Sequence, residues 1–436
     1  MANDEPSCQI PLQPQVPYWL EACSFPDQVY GSLFEVCFKE KEISSLPAGL
    51  VNDGLVKTFR LGHDIGLRKV IQVDDRSFLA LTSPHYPSPA YDRMIGHGGM
   101  NIASAGTRYN QQIGTAILAI TRECGLHCQH CYERFNLGTS EAVPIARWKE
   151  VIHDLQCLGT SIVVLSGGEP VARFNGVLEL LQSGDKNLPD FHLHTSGQGV
   201  TPERARMLKE TGLSAVAVGL DDLDADRHDR LRGVRGSFKA AISALQNFSE
   251  AGLLTYVNMC ATKELIRSGG LCKYFDLAKS LNIGFIQLLE PRPCGGYMTE
   301  GEDVLLTKSD RMVVMDFFRE TNSSRKFRNY PIVYYVVHAE SPEQAGCMMG
   351  GLSHFHIDGM GNVNPCVFLP VTFGNILRED FGTIYKRMRK AIPRPLHKDC
   401  PSLRLGERLR TLHKAGRSMP VPFQMIKEDW EEMYSS

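Results

Sequence analysis

The 436-residue chain predicts an α/β fold built on a parallel barrel or a large part of one, preceded by a β-rich stretch and followed by a small cysteine-bearing unit. Three observations carry this. Apolar strand-like runs recur from residue 113 onward, helical periodicity fills the gaps between them, and polar or glycine-rich punctuation closes each run. With 43% hydrophobic residues and a formal net charge of -2, the chain can bury a large core and should contain more than one domain.

Strand-like runs come first at Leu33 to Phe38, Leu55 to Leu61 and Leu67 to Val73, continuing to Phe78 to Thr82, with Pro and Gly between. Residues 1–110 therefore read as a β-rich extension, either a separate module or a cap over the barrel mouth, and Tyr86 to Arg108 reads as its linker. The start, Met1-Ala2-Asn3-Asp4-Glu5, is acidic, and no apolar run approaches the roughly eighteen residues of a membrane span. A cytoplasmic protein with no membrane partner is expected, in a compartment where thiols stay reduced. Without basic patches interleaved with aromatics, no nucleic-acid partner is expected either.

The barrel strands are expected at Ile113 to Ile120, Ser161 to Leu165, Phe191 to His194, Ala215 to Leu220, Thr255 to Ala261 and Phe285 to Leu289. Helical patterns lie between them at Ala146 to Leu158, Gly176 to Gln182, Pro202 to Glu210, Phe238 to Glu250 and Leu271 to Leu281. Alternation of this kind implies right-handed crossovers around a parallel sheet, with functional residues at the carboxyl ends of the strands. Cys124, Glu169, Thr195, Asp221 and Thr262 fall at or just beyond those ends.

The first strand runs into Cys124, Cys128 and Cys131, a C-x3-C-x2-C triplet. Thiols this close in sequence have too little chain between them for ordinary disulfides, yet they can converge on one metal centre. A cubane held by three cysteines leaves one iron open for an exogenous ligand, which suits an enzyme better than an electron carrier. His127 and His130 lie among the thiols, so a Cys/His zinc site stands beside the cluster at this point.

The second strand ends in Ser166-Gly167-Gly168-Glu169-Pro170, where glycines let a ligand approach the backbone and the glutamate can accept from an ammonium group. Triplet and Gly-Gly-Glu-Pro together resemble the radical S-adenosylmethionine (SAM) superfamily, over roughly residues 113–300. The resemblance implies a (β/α)6 TIM-like partial barrel. It also implies a [4Fe-4S] cluster on Cys124, Cys128 and Cys131 and SAM chelating the open iron, with its amino group at Gly167, Gly168 and Glu169. His130 takes the planar-ring position near the adenine. His194-Thr195-Ser196-Gly197 matches a turn near the ribose, and Val218-Gly219-Leu220-Asp221 matches a Ser-Leu-Asp segment, so Ser196 and Asp221 join the cofactor-binding set. Here Gly219 stands in place of the serine, and a ribose contact from that position is lost. His228-Asp229 and Arg232-Gly233 through Gly236-Ser237-Phe238 continue a series common in members with an extra cluster domain.

Beyond the barrel, Cys347, Cys366 and the later Gly374-Asn375-Ile376 resemble the start of a SPASM or shorter Twitch domain, and only Cys400 follows. Two short strands joined by a glycine turn would bring Cys347 and Cys366 together. The resemblance implies one auxiliary [4Fe-4S] cluster on Cys347, Cys366 and Cys400, with Cys294 the first candidate for the missing ligand; a structural zinc hairpin is the alternative. Cys8, Cys23, Cys37 and Cys157 read as incidental thiols. The division that results is an extension over 1–110, the barrel over 111–305, a connecting helix and strand over 306–345, the cluster domain over 346–420 and a helical tail over 421–436.

The chemistry implied is reductive cleavage of SAM to a 5'-deoxyadenosyl radical that abstracts a substrate hydrogen, with electrons from a low-potential donor such as a flavodoxin or ferredoxin. An auxiliary cluster favours net oxidation, a dehydrogenation or bond formation, of a peptide side chain or a small natural product. Asn258, Cys260 and Thr262 alternate on one face of the fifth strand, so Cys260 could instead return a hydrogen atom in an epimerisation. A zinc-stabilised binding protein without catalysis is the alternative from another class. Peptide-modifying relatives often carry a leader-recognition domain of three strands followed by three helices; the strands are suggested here, the three-helix run is not.

Overall fold

The computed structural model describes residues 16–19, 69–78, 80–96, 113–185, 187–300 and 303–435. The expected strands at Leu33 to Phe38 and Leu55 to Leu61, and Cys8, Cys23 and Cys37, lie outside the described residues. Among the described residues three strands come before the barrel, β1 (Val16–Trp19), β2 (Lys69–Val73) and β3 (Arg76–Phe78), and they pair antiparallel in that order. The stretch taken for a linker contains a helix, Pro89–Gly96.

The six expected barrel strands are present as β4 (Thr115–Thr121), β5 (Ile162–Gly167), β6 (Asp190–Thr195), β7 (Ala215–Gly219), β8 (Leu254–Cys260) and β9 (Phe285–Leu289). Each pairs parallel with the next. The sheet extends beyond these six. The strands β10 (Ile332–Tyr335) and β11 (His354–Ile357) add in parallel at the two edges, and β12 (Val363–Asn364) folds back on β11, giving a nine-stranded sheet. Neither edge strand announces itself: each is four residues long, and β11 interleaves two histidines with its apolar positions. Two further short strands, β13 (Val371–Thr372) and β14 (Val421–Pro422), pair parallel with each other.

Alternation along the strands separates two environments. Outward residues such as Leu118, Val163, Leu193, Val216, Val257 and Ile286 join one core with Trp148, Val151, Leu155, Leu180, Leu245 and Phe275 of the surrounding helices. Inward residues face a cavity. The crossover helices are those expected, within a residue or two at their ends: Ile145–Cys157, Phe174–Ser183, Pro202–Glu210, Ser237–Glu250 and Gly270–Ser280. Sequence reasoning missed the helix Ala225–Arg232, whose eight residues are almost all polar.

The described part of the amino-terminal extension does not cap the mouth. Ile71, Val73, Phe78 and Leu81 pack against Ala215, Leu254, Phe285 and Ile332, which are the first residues of their strands, so the β2–β3 hairpin plugs the amino-terminal end of the barrel. Lys69 donates to the carbonyls of Tyr330 (3.2 Å) and Pro331 (3.1 Å), and Arg76 to that of Gly252 (2.8 Å). Burial lowers the Lys69 pKa to about 7. An apolar alternation shows that a hairpin has a buried face; it carries no information on which end of a barrel will bury it.

Among the described residues, no helix is long and apolar enough to cross a membrane.

Candidate functional site

The loop after β4 is held in place by its backbone. His127 N donates to Arg232 O (3.0 Å) and Gln129 N to Leu231 O (2.9 Å). Those carbonyls end the helix Ala225–Arg232 and would otherwise be orphaned, so the cysteine loop serves as the helix's C-terminal cap. Gly233 closes the helix at φ 71°, and a Cβ there would stand 2.7 Å from His127 O, so the junction requires glycine. Cys124, Cys128 and Cys131 line one cavity of about 560 Å³. Burial pushes Cys124 up to about 11 and Cys131 up to about 12, and raises Cys128 against the pull of Arg232. Without a cation these are protonated thiols; a metal centre would take the place of their protons. The side chains as placed form no ready-made metal-holding group among the described residues, but three thiols lining one cavity are the donor type and number that an iron–sulfur cluster with an incomplete ligand set takes.

Beside this loop lies the Gly-Gly-Glu turn. Gly168 N donates to Thr121 O (2.9 Å) and Glu169 N to Glu123 O (2.6 Å). A Cβ on Gly167 (φ 135°) would sit 3.0 Å from Thr121 N, and one on Gly168 2.7 Å from the Glu123 carbonyl carbon. The glycines line the cavity as expected, but the approach they permit is first that of the chain leading into Cys124. Glu169 accepts from Val171 N (3.0 Å), Thr195 Oγ1 (2.6 Å), Ser196 N (2.8 Å) and Ser196 Oγ. Burial raises its pKa in spite of these four donors. Two of the four are hydroxyls that can turn away, which leaves the carboxylate able to accept from an incoming ammonium group.

Asp221 faces the cysteines with its partners already in place. Arg232 Nε donates to Oδ2 (2.6 Å), Cys260 N to Oδ1 (2.9 Å), and His130 Nε2 stands 3.7 Å away. Burial opposes ionisation of Asp221, but the Arg232 guanidinium outweighs it and holds the pKa at about 2. The other arm of Arg232, Nη1, reaches to 3.9 Å from Cys128 Sγ. Here the glycine in place of serine finds its reason: a Cβ on Gly219 would lie 2.8 Å from Arg232 Cζ, so the guanidinium fills the space a side chain would need. His130 is half-buried, its pKa lowered to about 4 by desolvation, with Tyr297 at 6.3 Å between ring centroids.

A second group of thiols lines the same cavity: Cys294, Cys347, Cys366 and Cys400. Cys294 feels the charges of Cys366 and Cys400, and Cys347 those of Cys400 and Cys366; burial raises the pKa of Cys294 and Cys347. The expected hairpin exists as β11–β12, but it does not itself pair the cysteines. Cys347 is bridged to Leu396, and Gly350 N donates to Pro365 O (2.9 Å), so the two ends arrive through loop contacts. Arg292 lies beside Cys400 and is paired with Glu290 (2.9 Å), which also accepts from Arg311 (2.9 Å) and Tyr335.

The loop that carries Cys294 packs directly on the triplet loop. Gly296 N donates to Cys131 O (2.9 Å), and a Cβ on Gly295 (φ 51°) would stand 2.7 Å from Tyr132 Cα. Gly295→Ala therefore forces two backbones apart at a positive φ. It should cost about 1–3 kcal/mol in chemical denaturation and lower the iron retained after reconstitution, whereas Gly269→Ala, where a Cβ meets nothing within 4 Å, should leave the iron content as it is.

Of the remaining expected residues, Cys260 and Asn258 line the cavity, and burial keeps Cys260 a protonated thiol. Thr262 does not follow them inward; its hydroxyl caps the helix Lys263–Arg267. The Arg232 and Arg292 pairs and the interior His192, His194 and Tyr256 were missed as site residues. Arg232 was visible within a quoted motif; the interior set carried only its alternation on β6 and β8.

Residues 118–265 match the family model of the radical SAM superfamily. The chain is 25% identical over 289 residues to the AdoMet-dependent heme synthase of Methanosarcina barkeri (61% of this chain, 80% of the relative). To the PqqA peptide cyclase of Streptomyces rochei it is 26% identical over 282 residues (63% and 75%). Its fold resembles SuiB of Streptococcus suis bound to precursor peptide SuiA, at TM-score 0.50 and 15% identity, over 84% of this chain and 82% of that one. With the triplet, the Gly-Gly-Glu turn and the parallel sheet in one arrangement, this chain is an enzyme of the radical SAM superfamily.

Proposed function

We propose that Cys124, Cys128 and Cys131 hold the [4Fe-4S] cluster with its open iron, that Glu169 receives the amino group of SAM, and that Cys294, Cys347, Cys366 and Cys400 hold one auxiliary [4Fe-4S] cluster. The observation that carries this reading is that both sets of thiols open onto one cavity. Bound there, the cluster and SAM supply a 5'-deoxyadenosyl radical that takes a hydrogen atom from substrate. The chain's own residues do the rest. Thr195 and Ser196 fix Glu169, the Asp221–Arg232 pair braces Cys128, and the β2–β3 hairpin closes the amino-terminal end of the barrel. Held by all four thiols, an auxiliary cluster would have no open iron and would supply an acceptor for the second electron of an oxidation, a dehydrogenation or bond formation. The substrate is a peptide side chain or a small natural product. SuiB, which shares the fold, has been crystallised with a precursor peptide, and that supports the peptide. Electrons enter from a flavodoxin- or ferredoxin-like donor in the cytoplasm. On this reading residues 111–305 form the barrel, 306–345 the connection, 346–420 a SPASM/Twitch-like domain, 421–436 its tail and 1–110 the extension.

Cys260 favours a second reading. It is buried, protonated and inside the cavity, as a hydrogen-atom donor for epimerisation must be. Turnover of a candidate peptide in D2O separates the two. Oxidation is expected to give a product lighter by two hydrogens and free of solvent deuterium; a product of unchanged composition carrying deuterium, lost in Cys260→Ala, would establish the epimerase. Formation of 5'-deoxyadenosine under dithionite tests the radical SAM chemistry common to both.

A further inference from the structure

Three thiols of the two ligand sets face a basic side chain that a carboxylate holds in place. Arg232, on Asp221 (2.6 Å), reaches to 3.9 Å from Cys128 Sγ. His354, with Nδ1 3.2 Å from Glu340, lies against Cys366. Arg292, with Nη1 2.9 Å from Glu290 Oε2, is within hydrogen-bonding reach of Cys400. The third of these differs from the other two in its balance of charge, and none of the steps above uses it.

Glu290 follows β9 at its carboxyl end, is 3% exposed, and serves two arginines at once. Arg292 Nη1 and Arg311 Nε both donate to Oε2 at 2.9 Å, and Tyr335 donates to Oε1. Two guanidiniums on one carboxylate leave one positive charge over, because arginine does not lose its proton in a protein. The other ionisable groups that line the cavity around these thiols come in opposite pairs: Glu340 with His354, and Lys398 beside Asp399 in the chain. The first ligand set has no such surplus. There Arg232 meets Asp221 one to one, and Glu169 and Glu133 add negative charge beside Cys124 and Cys131.

The backbone fixes where the surplus sits. The Arg292 carbonyl accepts from Cys294 N (2.8 Å), so this one residue meets two of the four thiols, Cys294 through its main chain and Cys400 through its side chain. The buried Ser402 has its Oγ 3.1 Å from Cys400 Sγ and can donate to the same sulfur once it is a thiolate. Arg292 is 6% exposed. With little water to screen it, its charge acts on the sulfur far more strongly than a surface charge would.

We propose that Arg292 raises the reduction potential of the auxiliary centre, by donating to Cys400 and by bringing to it the positive charge that Glu290 leaves uncompensated. The inference rests on the reading that Cys294, Cys347, Cys366 and Cys400 hold a [4Fe-4S] cluster. Potentials of such centres follow the net charge, the hydrogen bonds to sulfur and the exposure. Four thiolates give the centre a negative charge that grows by one on reduction, so a fixed cation and a donor at a ligand sulfur both favour the reduced form. Arg292 acts through Cys400 and not on the substrate. It is a positioning residue whose charge decides how readily an electron is accepted there.

Potentiometric titration of the anaerobically reconstituted enzyme, followed by electron paramagnetic resonance, tests this. The signal that SAM leaves unchanged belongs to the cluster without an open iron. In Arg292→Met, where Arg311 and Tyr335 still satisfy Glu290, that cluster is expected to be at least tenfold harder to reduce, a midpoint lower by about 59 mV or more for one electron. Arg311→Gln removes the surplus without touching a thiol, from a side chain 35% exposed, and the midpoint is expected to fall in the same direction by less. A shift smaller than tenfold or upward in Arg292→Met overturns the proposal, as does a larger fall in Arg311→Gln than in Arg292→Met. Should Arg292→Met not fold or not load its iron, Arg311→Gln decides, and a midpoint that does not fall there overturns the proposal. Iron analysis of the unaltered enzyme is a separate readout. About four irons instead of roughly eight would overturn the functional reading and this inference with it, whereas a full complement with an unmoved midpoint overturns this inference alone.

Discussion

Replacing Cys124, Cys128 and Cys131 together by alanine should remove about four of roughly eight irons from the reconstituted enzyme and reduce formation of 5'-deoxyadenosine to the level without protein. The expectation is specific because the loop is held by its backbone, not its thiols. The bonds from His127 N to Arg232 O, Gln129 N to Leu231 O and Glu169 N to Glu123 O all survive the substitutions. The barrel should therefore fold and the second set of thiols keep its own iron. Iron analysis and a SAM cleavage assay check it together. Undiminished cleavage in the triple variant would remove the basis of the functional reading, as would loss of all the iron, which would show that the two thiol sets are not separate centres.

Arg232→Ala should be the most damaging single change outside the thiols. Asp221 is 1% exposed, and Arg232 is the cation that keeps it ionised. Breaking a buried pair from one side costs about 3–5 kcal/mol, because a charge stays buried without its partner. The sign of the pH dependence distinguishes this cause from simple loss of packing. In the intact protein Asp221 titrates at about 2, below its ordinary 3.8; its contribution is fully present above 3.8 and is lost as pH falls through 2. In Arg232→Ala burial, the largest cause, is opposed only by the weaker effects of His130, His228 and the Cys260 amide, so the folded-state pKa is expected to rise above the unfolded value. The variant should then recover stability relative to the parent as pH falls from about 7 toward 5. Urea midpoints across that range measure it, and a deficit independent of pH would refute the assignment. Gly219→Ser should cause much of the same loss, since its Cβ occupies the guanidinium's place. Combined with Arg232→Ala the two effects should fall short of additive, the mark of a shared contact.

Much of the site could be read before folding because its residues are sequence neighbours. The triplet spans eight positions and Gly167 to Glu169 three, and all five residues expected at strand ends, from Cys124 to Thr262, are there. Local pattern also placed β4 through β9 and their crossover helices, since a buried parallel strand is a continuous apolar run. What stayed hidden depends on contacts between distant segments. The edge strands β10 and β11 are too short to signal, and the plugging of the amino-terminal end by β2–β3 follows from which surface remained uncovered. Asp221 looked like a ligand contact, and in the folded protein its oxygens are held by Arg232 and Cys260.

The order of residues alone pointed to the kind of chemistry, because the triplet, which by itself left zinc standing beside a cluster, resembles the radical SAM pattern once Gly-Gly-Glu-Pro follows it. Tertiary structure decided the rest: that the seven thiols of the two proposed ligand sets, with Cys260, open onto one cavity, and that an arginine fills the space beside Gly219. The reason is physical. A loop's donor set is carried along the chain, whereas the charge, volume and hydrogen-bond complement of a cavity are sums over strands and loops that only meet in space.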